Sequence, residues 1–157
     1  MPLLPFLRWI GGTPVARAID DVQWAFPVIE SIHIIGMALL AGTIAAVDLR
    51  MLGMGLRSRT AAELARELRP WTLLGLGVML VTGPLLFSTD PIRYSANPAF
   101  AFKMRALLAA AGLHFALHRG AALSGRLSNT AWGKPVACFS LALWMAVIVA
   151  ARWIATY

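Results

Sequence analysis

Charge and cysteine are both scarce in this chain of 157 residues. Only 13% of the residues are charged and 59% are hydrophobic, whereas a soluble domain normally carries about 25% charged residues. The single cysteine, Cys138, excludes an internal disulfide, and no Cys-x-x-Cys-His motif is present for covalent haem attachment. A nucleotide-binding motif, a nucleophile elbow and a His-Glu-x-x-His motif are also lacking. The apolar excess has to face lipid, and the chemistry of these three enzyme motifs is not indicated.

Basic residues outnumber acidic ones by 14 to 7, which gives a formal net charge of +7. Such a balance can indicate a nucleic-acid partner. Here, however, the basic residues lie almost entirely between and at the edges of the apolar blocks, where they would anchor a membrane protein. We therefore expect the lipid bilayer, and no nucleic acid, as the partner of this surface.

Four apolar segments are long enough to cross a bilayer, since a spanning helix needs roughly 20 residues at about 1.5 Å rise each. They cover about residues 27–47, 71–88, 99–118 and 136–155. Residues 1–20 are apolar but broken by proline and glycine, which predicts a short interfacial helix. The predicted fold is all-α, a single membrane domain over residues 1–157 that forms an integral membrane four-helix bundle.

Local signals refine these boundaries. Thr13 can cap a helical turn that begins with Pro14. Thr60 and Glu63 form a capping-box pattern, which predicts a short amphipathic helix before the second span. Small residues recur along the first span, where we expect them to let another helix approach closely; they are Ala38, Gly42 and Ala46.

The basic residues also predict an orientation. Eight of the 14 lie in the two connections on one side of the membrane, namely Arg50, Arg57, Arg59, Arg66, Arg69, Arg119, Arg126 and Lys134. By the positive-inside rule this side faces the cytoplasm, which places both termini outside. We expect a multi-pass protein of a bacterial-type inner (cytoplasmic) membrane.

Ionisable residues inside the spans are the candidates for function, because a charge at the helix centre costs at least roughly 2.5 kcal/mol. Lys103 and His114 lie eleven positions apart, about 20° around a helix, so they share one face of the third span. Arg105 falls on the opposite face and can extend to the interface. In the first span Glu30 and His33 share a face, and Glu30 is the expected counter-ion of Lys103.

Two inward histidines on neighbouring helices, His33 and His114, are metal-ligand candidates. They can ligate haem iron, bind copper with Met37 as an additional ligand, or relay protons. They can also form interhelical hydrogen bonds that only stabilise the bundle. Gly36, Ala110 and Ala111 would leave space for a flat macrocycle. A depth difference of about 8 Å between the histidines strains a shared haem, so separate binding or a single ligand stays open.

The connection over residues 88–100 is rich in turn formers and carries Arg93. Together with Lys103 or Arg105, this guanidinium can meet the propionates of a haem or another anionic partner. The alternative is a solvated turn.

His33-Ile-Ile, with Gly42 and Arg50 downstream, followed by Lys103 and His114, resembles the HemJ-type protoporphyrinogen IX oxidases and the related copper-resistance D-like membrane families. The resemblance covers roughly residues 31–118. It implies that His33 and Lys103 correspond to essential residues of that family and that non-covalent haem b is the cofactor.

The leading hypothesis is a haem b-binding integral membrane redox protein that passes electrons within the membrane, alone or as a subunit or anchor of a larger complex. Its electrons would come from a redox partner protein or a quinone. An oxidoreductase of the protoporphyrinogen IX oxidase type is the alternative, with Lys103 as the catalytic residue that meets the substrate's carboxylates. Copper handling and a purely structural membrane subunit also remain open, as does a homo- or hetero-oligomeric state.

Overall fold

The computed structural model describes residues 3–54, 59–118 and 130–154, and these are helical apart from short connections, with no strand among them. The helices are α1 (Leu4–Gly11), α2 (Pro14–Asp21), α3 (Ala25–Met51), α4 (Ala61–Thr89), α5 (Pro91–Ala96), α6 (Pro98–His118) and α7 (Gly133–Ile154). Within the described residues, α3, α4, α6 and α7 are long and apolar enough to cross a membrane. The predicted all-α fold with four spans is confirmed, and the protein is a multi-pass membrane protein.

The two short helices α1 and α2 lie at the end of the bundle where α3 begins and α4 ends. Thr13 caps α2 as predicted, since its side chain accepts a hydrogen bond from the Ala16 N–H and Pro14 opens the helix. Ala16 and Ile19 are buried where α2 contacts α3 and α4. This end of the molecule is called the α1–α2 end below.

The short helix α5 is fixed between α4 and α6 at the same end. Its Tyr94 ring packs with Phe87 of α4 and Phe100 of α6, and the latter two rings stack with centroids 5.4 Å apart. Asp90 caps α5 by accepting a hydrogen bond from the Arg93 N–H at 3.2 Å. The predicted loop over residues 88–100 is therefore an ordered, aromatic-packed corner.

The helix α4 is longer than predicted. Both arms of the capping box form, between Thr60 and Glu63, but the helix that they open continues for 29 residues through Pro70 and Pro84. The prediction of a separate short amphipathic helix is therefore wrong. Both prolines lie on exposed positions, so their rings do not enter the core and the helix tolerates the loss of two backbone donors.

Glycine lets α3 and α4 approach closely. A Cβ atom added to Gly75 would lie 2.8 Å from the Leu40 nitrogen and 2.9 Å from the Gly36 oxygen, and one added to Gly36 would meet Val78. The space that the sequence suggested beside Gly36 for a macrocycle is therefore filled by α4. Ala38 and Gly42, which were expected to mediate helix packing, are exposed instead.

The long helices form two hairpins. The helix α3 packs along α4, and α6 packs along α7, while α3 also contacts α7. In the described ranges, the backbone of α6 does not pack along α3 or α4 as closely as it packs along α7. The main core cluster joins the hairpins and contains Leu40, Ala41, Ile44, Met79, Ala110 and Trp144.

The opposite end of the bundle, where α3 ends and α4 begins, is called the arginine-rich end. It carries Arg50, Arg59, Arg66 and Arg69. Arg59 forms an ion pair with Glu67. Arg57, Arg119 and Arg126, which contributed to the predicted orientation, lie outside the described residues.

Candidate functional site

His33 of α3 is held against α4 by a hydrogen bond to Thr82. It is partly buried, and its Nδ1 lies 2.7 Å from the Thr82 hydroxyl oxygen. The Thr82 hydroxyl donates its only proton to the Val78 carbonyl oxygen, at 2.7 Å. With the Thr82 hydroxyl proton on the Val78 carbonyl, Thr82 accepts from the His33 Nδ1–H, and in this tautomer the Nε2 lone pair can bind a metal or a proton.

Lys103 brings a positive charge to this imidazole from α6. Its side chain is partly buried, and its charge acts on the His33 ring. The expected counter-ion Glu30 is exposed. No carboxylate in the described part of the chain forms an ion pair with Lys103. The prediction of a Glu30–Lys103 pair is therefore wrong, and this end of the bundle holds a cation whose charge is not balanced locally.

The two arginines predicted near this site lie on the outside of the bundle. Arg105 is exposed two positions after Lys103, as the helical spacing predicts. Arg93 is exposed on α5, and only its backbone N–H takes part in the cap of that helix. Lys103 is therefore the predicted cation that reaches into the interior beside His33.

His114 lines a different space, a cavity of about 290 Å³ nearer the arginine-rich end. Its imidazole is partly buried and lies 5.9 Å from the Phe115 ring, measured between centroids. The other residues of the cavity wall are Leu40, Ala65, Arg66, Arg69, Thr72, Leu73, Leu76, Ala111, Phe115 and Trp144. Every long helix contributes at least one of them.

The two histidines are offset along the bundle axis. Leu40 lies at the level of the His114 cavity and follows His33 by seven positions on α3, which corresponds to about 10 Å at 1.5 Å per residue. A shared haem iron requires its two imidazoles directly above and below one ring. The offset between His33 and the His114 cavity does not fit a haem shared by both histidines. It fits the alternatives in which each histidine binds separately or only one of them ligates a metal.

Other metal ligands are sparse in the described ranges, where no group of three or more His, Cys, Asp and Glu side chains could hold an ion. Met37, the suggested additional copper ligand, packs against the main core cluster.

Sequence reasoning missed one buried carboxylate, Asp48. It lies within α3 with 4% of its surface exposed, and Ser140 of α7 hydrogen-bonds it. Its second oxygen Oδ2 has no hydrogen-bond partner. The first span was predicted to end at residue 47, which put Asp48 at the surface. The spacing from Ala41 and Ile44, seven and four positions earlier, could have placed it on the core face.

These features define a polytopic four-helix membrane protein with a histidine and an unpaired lysine inside one end of the bundle and a basic-edged cavity inside the other. The chain belongs to a family of unknown function, DUF6644, whose model matches residues 6–157. No curated protein and no solved structure matches it.

Proposed function

We propose that this protein is an integral membrane redox protein that binds haem b non-covalently, with His33 as the histidine ligand of the iron. The observation that carries the proposal is the hydrogen bond from His33 Nδ1 to Thr82. A histidine that ligates a metal almost always donates its second ring N–H to a protein acceptor, which fixes the tautomer and the ring orientation. His33 has this arrangement, with Nε2 as the available ligand atom.

Lys103 is the group that would hold an acidic substituent of the porphyrin. A buried cation without a counter-ion is costly inside a membrane protein. A carboxylate supplied by a ligand would remove that cost and gain a charge-assisted hydrogen bond. The haem would supply one-electron redox chemistry, while the chain orients the imidazole through Thr82 and binds the carboxylate through Lys103.

The basic residues support an orientation for this site. With the arginine-rich end in the cytoplasm of a bacterial-type cell, both termini and the α1–α2 end lie outside. His33 and Lys103 are then in the outer half of the inner membrane. Electrons would be exchanged there with a quinone in the bilayer or with a partner protein.

An optical spectrum tests the proposal directly. Protein purified from haem-replete cells should show a Soret band that shifts on reduction with dithionite. A colourless preparation that also fails to take up added haemin would contradict haem binding.

Protoporphyrinogen IX oxidation is the second candidate, because the same unpaired Lys103 beside His33 could meet the carboxylates of that substrate. Complementation of a strain that lacks the oxidase separates the two functions. A well-expressed protein that binds haem but does not restore growth would be a redox protein without this activity.

The role of Lys103 leads to a specific prediction. Lys103→Gln should weaken haem binding roughly tenfold to a hundredfold, because a hydrogen bond to a charged group contributes about 1.5–3 kcal/mol. The rate of haem transfer to an excess of a haem-free globin measures the effect. Arg105→Gln is the matched control, since it removes the same charge from an exposed position two residues away. Equal effects of the two substitutions would show that Lys103 has no special role.

A further inference from the structure

The cavity that contains His114 is charged at one end and apolar at the other. Along α4 its wall residues run from Arg66 and Arg69 to Leu73 and Leu76. The ten positions from Arg66 to Leu76 correspond to about 15 Å along the helix, directed from the arginine-rich end toward the middle of the bundle. The cavity therefore changes from basic to apolar along the direction of the membrane normal.

This cavity is accessible from the bilayer. Over their described residues, the helices α4 and α6, which form its two sides, make no close approach comparable to that within the hairpins. Leu73 of α4 and Phe115 of α6 both line the cavity, and each is 48% exposed. Trp71, 54% exposed, lies next to this wall at a position typical of the membrane interface. The arginines are thus at headgroup level and the leucines at acyl-chain level.

The two arginines are also available to an external anion. Both are exposed, and the ion pair at this end of the described chain joins Arg59 and Glu67 instead. The two acidic residues closest to Arg66 in sequence have other hydrogen-bonded partners: Glu67 pairs with Arg59, and Glu63 accepts a hydrogen bond from the Thr60 N–H at 2.8 Å. Guanidinium groups match phosphate oxygens in a bidentate geometry.

We infer that this cavity is a binding site for one anionic phospholipid. Arg66 and Arg69 donate hydrogen bonds to its phosphate, and one acyl chain occupies the apolar part between Leu73, Leu76 and Phe115. The site lies apart from His33 and Lys103 and does not depend on the proposed haem. A basic pocket between membrane helices is the arrangement that recognises anionic lipid headgroups.

Native mass spectrometry of the full chain in detergent tests the inference, with phosphatidylglycerol and phosphatidylcholine of the same acyl chains as probes. We expect one tightly retained phosphatidylglycerol per chain and no comparable retention of phosphatidylcholine. The double variant Arg66→Gln/Arg69→Gln should bind phosphatidylglycerol roughly 25-fold more weakly, at about fivefold per basic residue. Lys134→Gln is the control, since Lys134 is exposed at the same end but outside the cavity, and it should change binding less than twofold.

A second variant distinguishes the contribution of the acyl-chain contacts to lipid binding from that of the arginine charges. Ala111→Leu fills part of the cavity and leaves both arginines in place, so it should also reduce phosphatidylglycerol retention, by at least fivefold. Circular dichroism establishes that each variant keeps its helical content. Equal retention of the two lipids, unchanged binding by the double variant, or an equal loss with Lys134→Gln would overturn the inference.

Discussion

His33→Ala should give a folded protein without a Soret band. The substitution removes the only proposed histidine ligand of the iron, and the described residues near it offer no replacement from a metal-ligand cluster. Because His33 is only partly buried, its loss should leave the helical content and the oligomeric state unchanged. The measurements are the absorbance spectrum and the haem content per chain after purification.

Two controls distinguish ligation from a general loss of structure. His114→Ala should keep the band, because His114 lines a separate cavity, whose wall residue Leu40 is already about 10 Å from His33 along α3. Thr82→Val keeps the shape of the side chain but removes the acceptor of the His33 Nδ1–H. This change should weaken haem affinity by 10- to 100-fold without abolishing it. A band that survives His33→Ala and disappears in His114→Ala would move the proposed ligand to the other cavity.

Gly75→Ala should destabilise the bundle, whereas the same change at Gly77 should not. The new Cβ at position 75 would lie 2.8 Å from the Leu40 nitrogen and 2.9 Å from the Gly36 oxygen. These are backbone atoms, which cannot rotate away, so α3 and α4 must separate. The expected loss is about 1–3 kcal/mol, a typical value for overpacking. Thermal unfolding in detergent measures it.

Gly77 is the matched control on the same helix. A Cβ there would meet no atom within 4 Å, and alanine is favoured over glycine in a helix interior by up to about 1 kcal/mol. Gly77→Ala should therefore leave the midpoint of unfolding unchanged or raise it. Two results would be inconsistent with a close contact of the two helices at Gly75. One is a decrease of the unfolding midpoint in Gly77→Ala, and the other is an unchanged midpoint in Gly75→Ala.

The spans and caps were predictable because their signals are local. An apolar run of sufficient length determines a membrane helix whatever surrounds it. The caps by Thr13 and Thr60 depend only on residues within one turn. The length of α4 was not predictable, because the effect of Pro70 and Pro84 depends on whether their rings face the core or the exposed side.

The pairing of the helices required the structure. A helix that is apolar on all sides has no polar face to show which side packs against protein. Close packing was therefore assigned to Ala38 and Gly42, while it occurs at Gly36 and Gly75. Asp48 was missed for a different reason, because the first span was ended one residue before it; only its hydrogen bond with Ser140 of α7 required the structure.

The candidate site was predicted in part. Helical spacing placed Lys103 and His114 toward the interior and Arg105 outside, and the structure agrees with this on all three side chains. The hydrogen bond between His33 and Thr82 joins residues 49 positions apart, so no local pattern could reveal it. From the sequence, Arg66 and Arg69 were used only to predict the orientation in the membrane. That they line one cavity with His114 depends on the distance between α4 and α6, which the sequence does not show.

The contact between α3 and α7 has a consequence for biogenesis. During synthesis α3 and α4 leave the ribosome first and can pair at once, whereas α7 emerges last. Until α7 arrives, the carboxyl group of Asp48 lacks the hydroxyl donor that Ser140 supplies. Assembly of the bundle is therefore completed by the final long helix, and a nascent chain that stalls before residue 133 would lack the Ser140 partner of this acid.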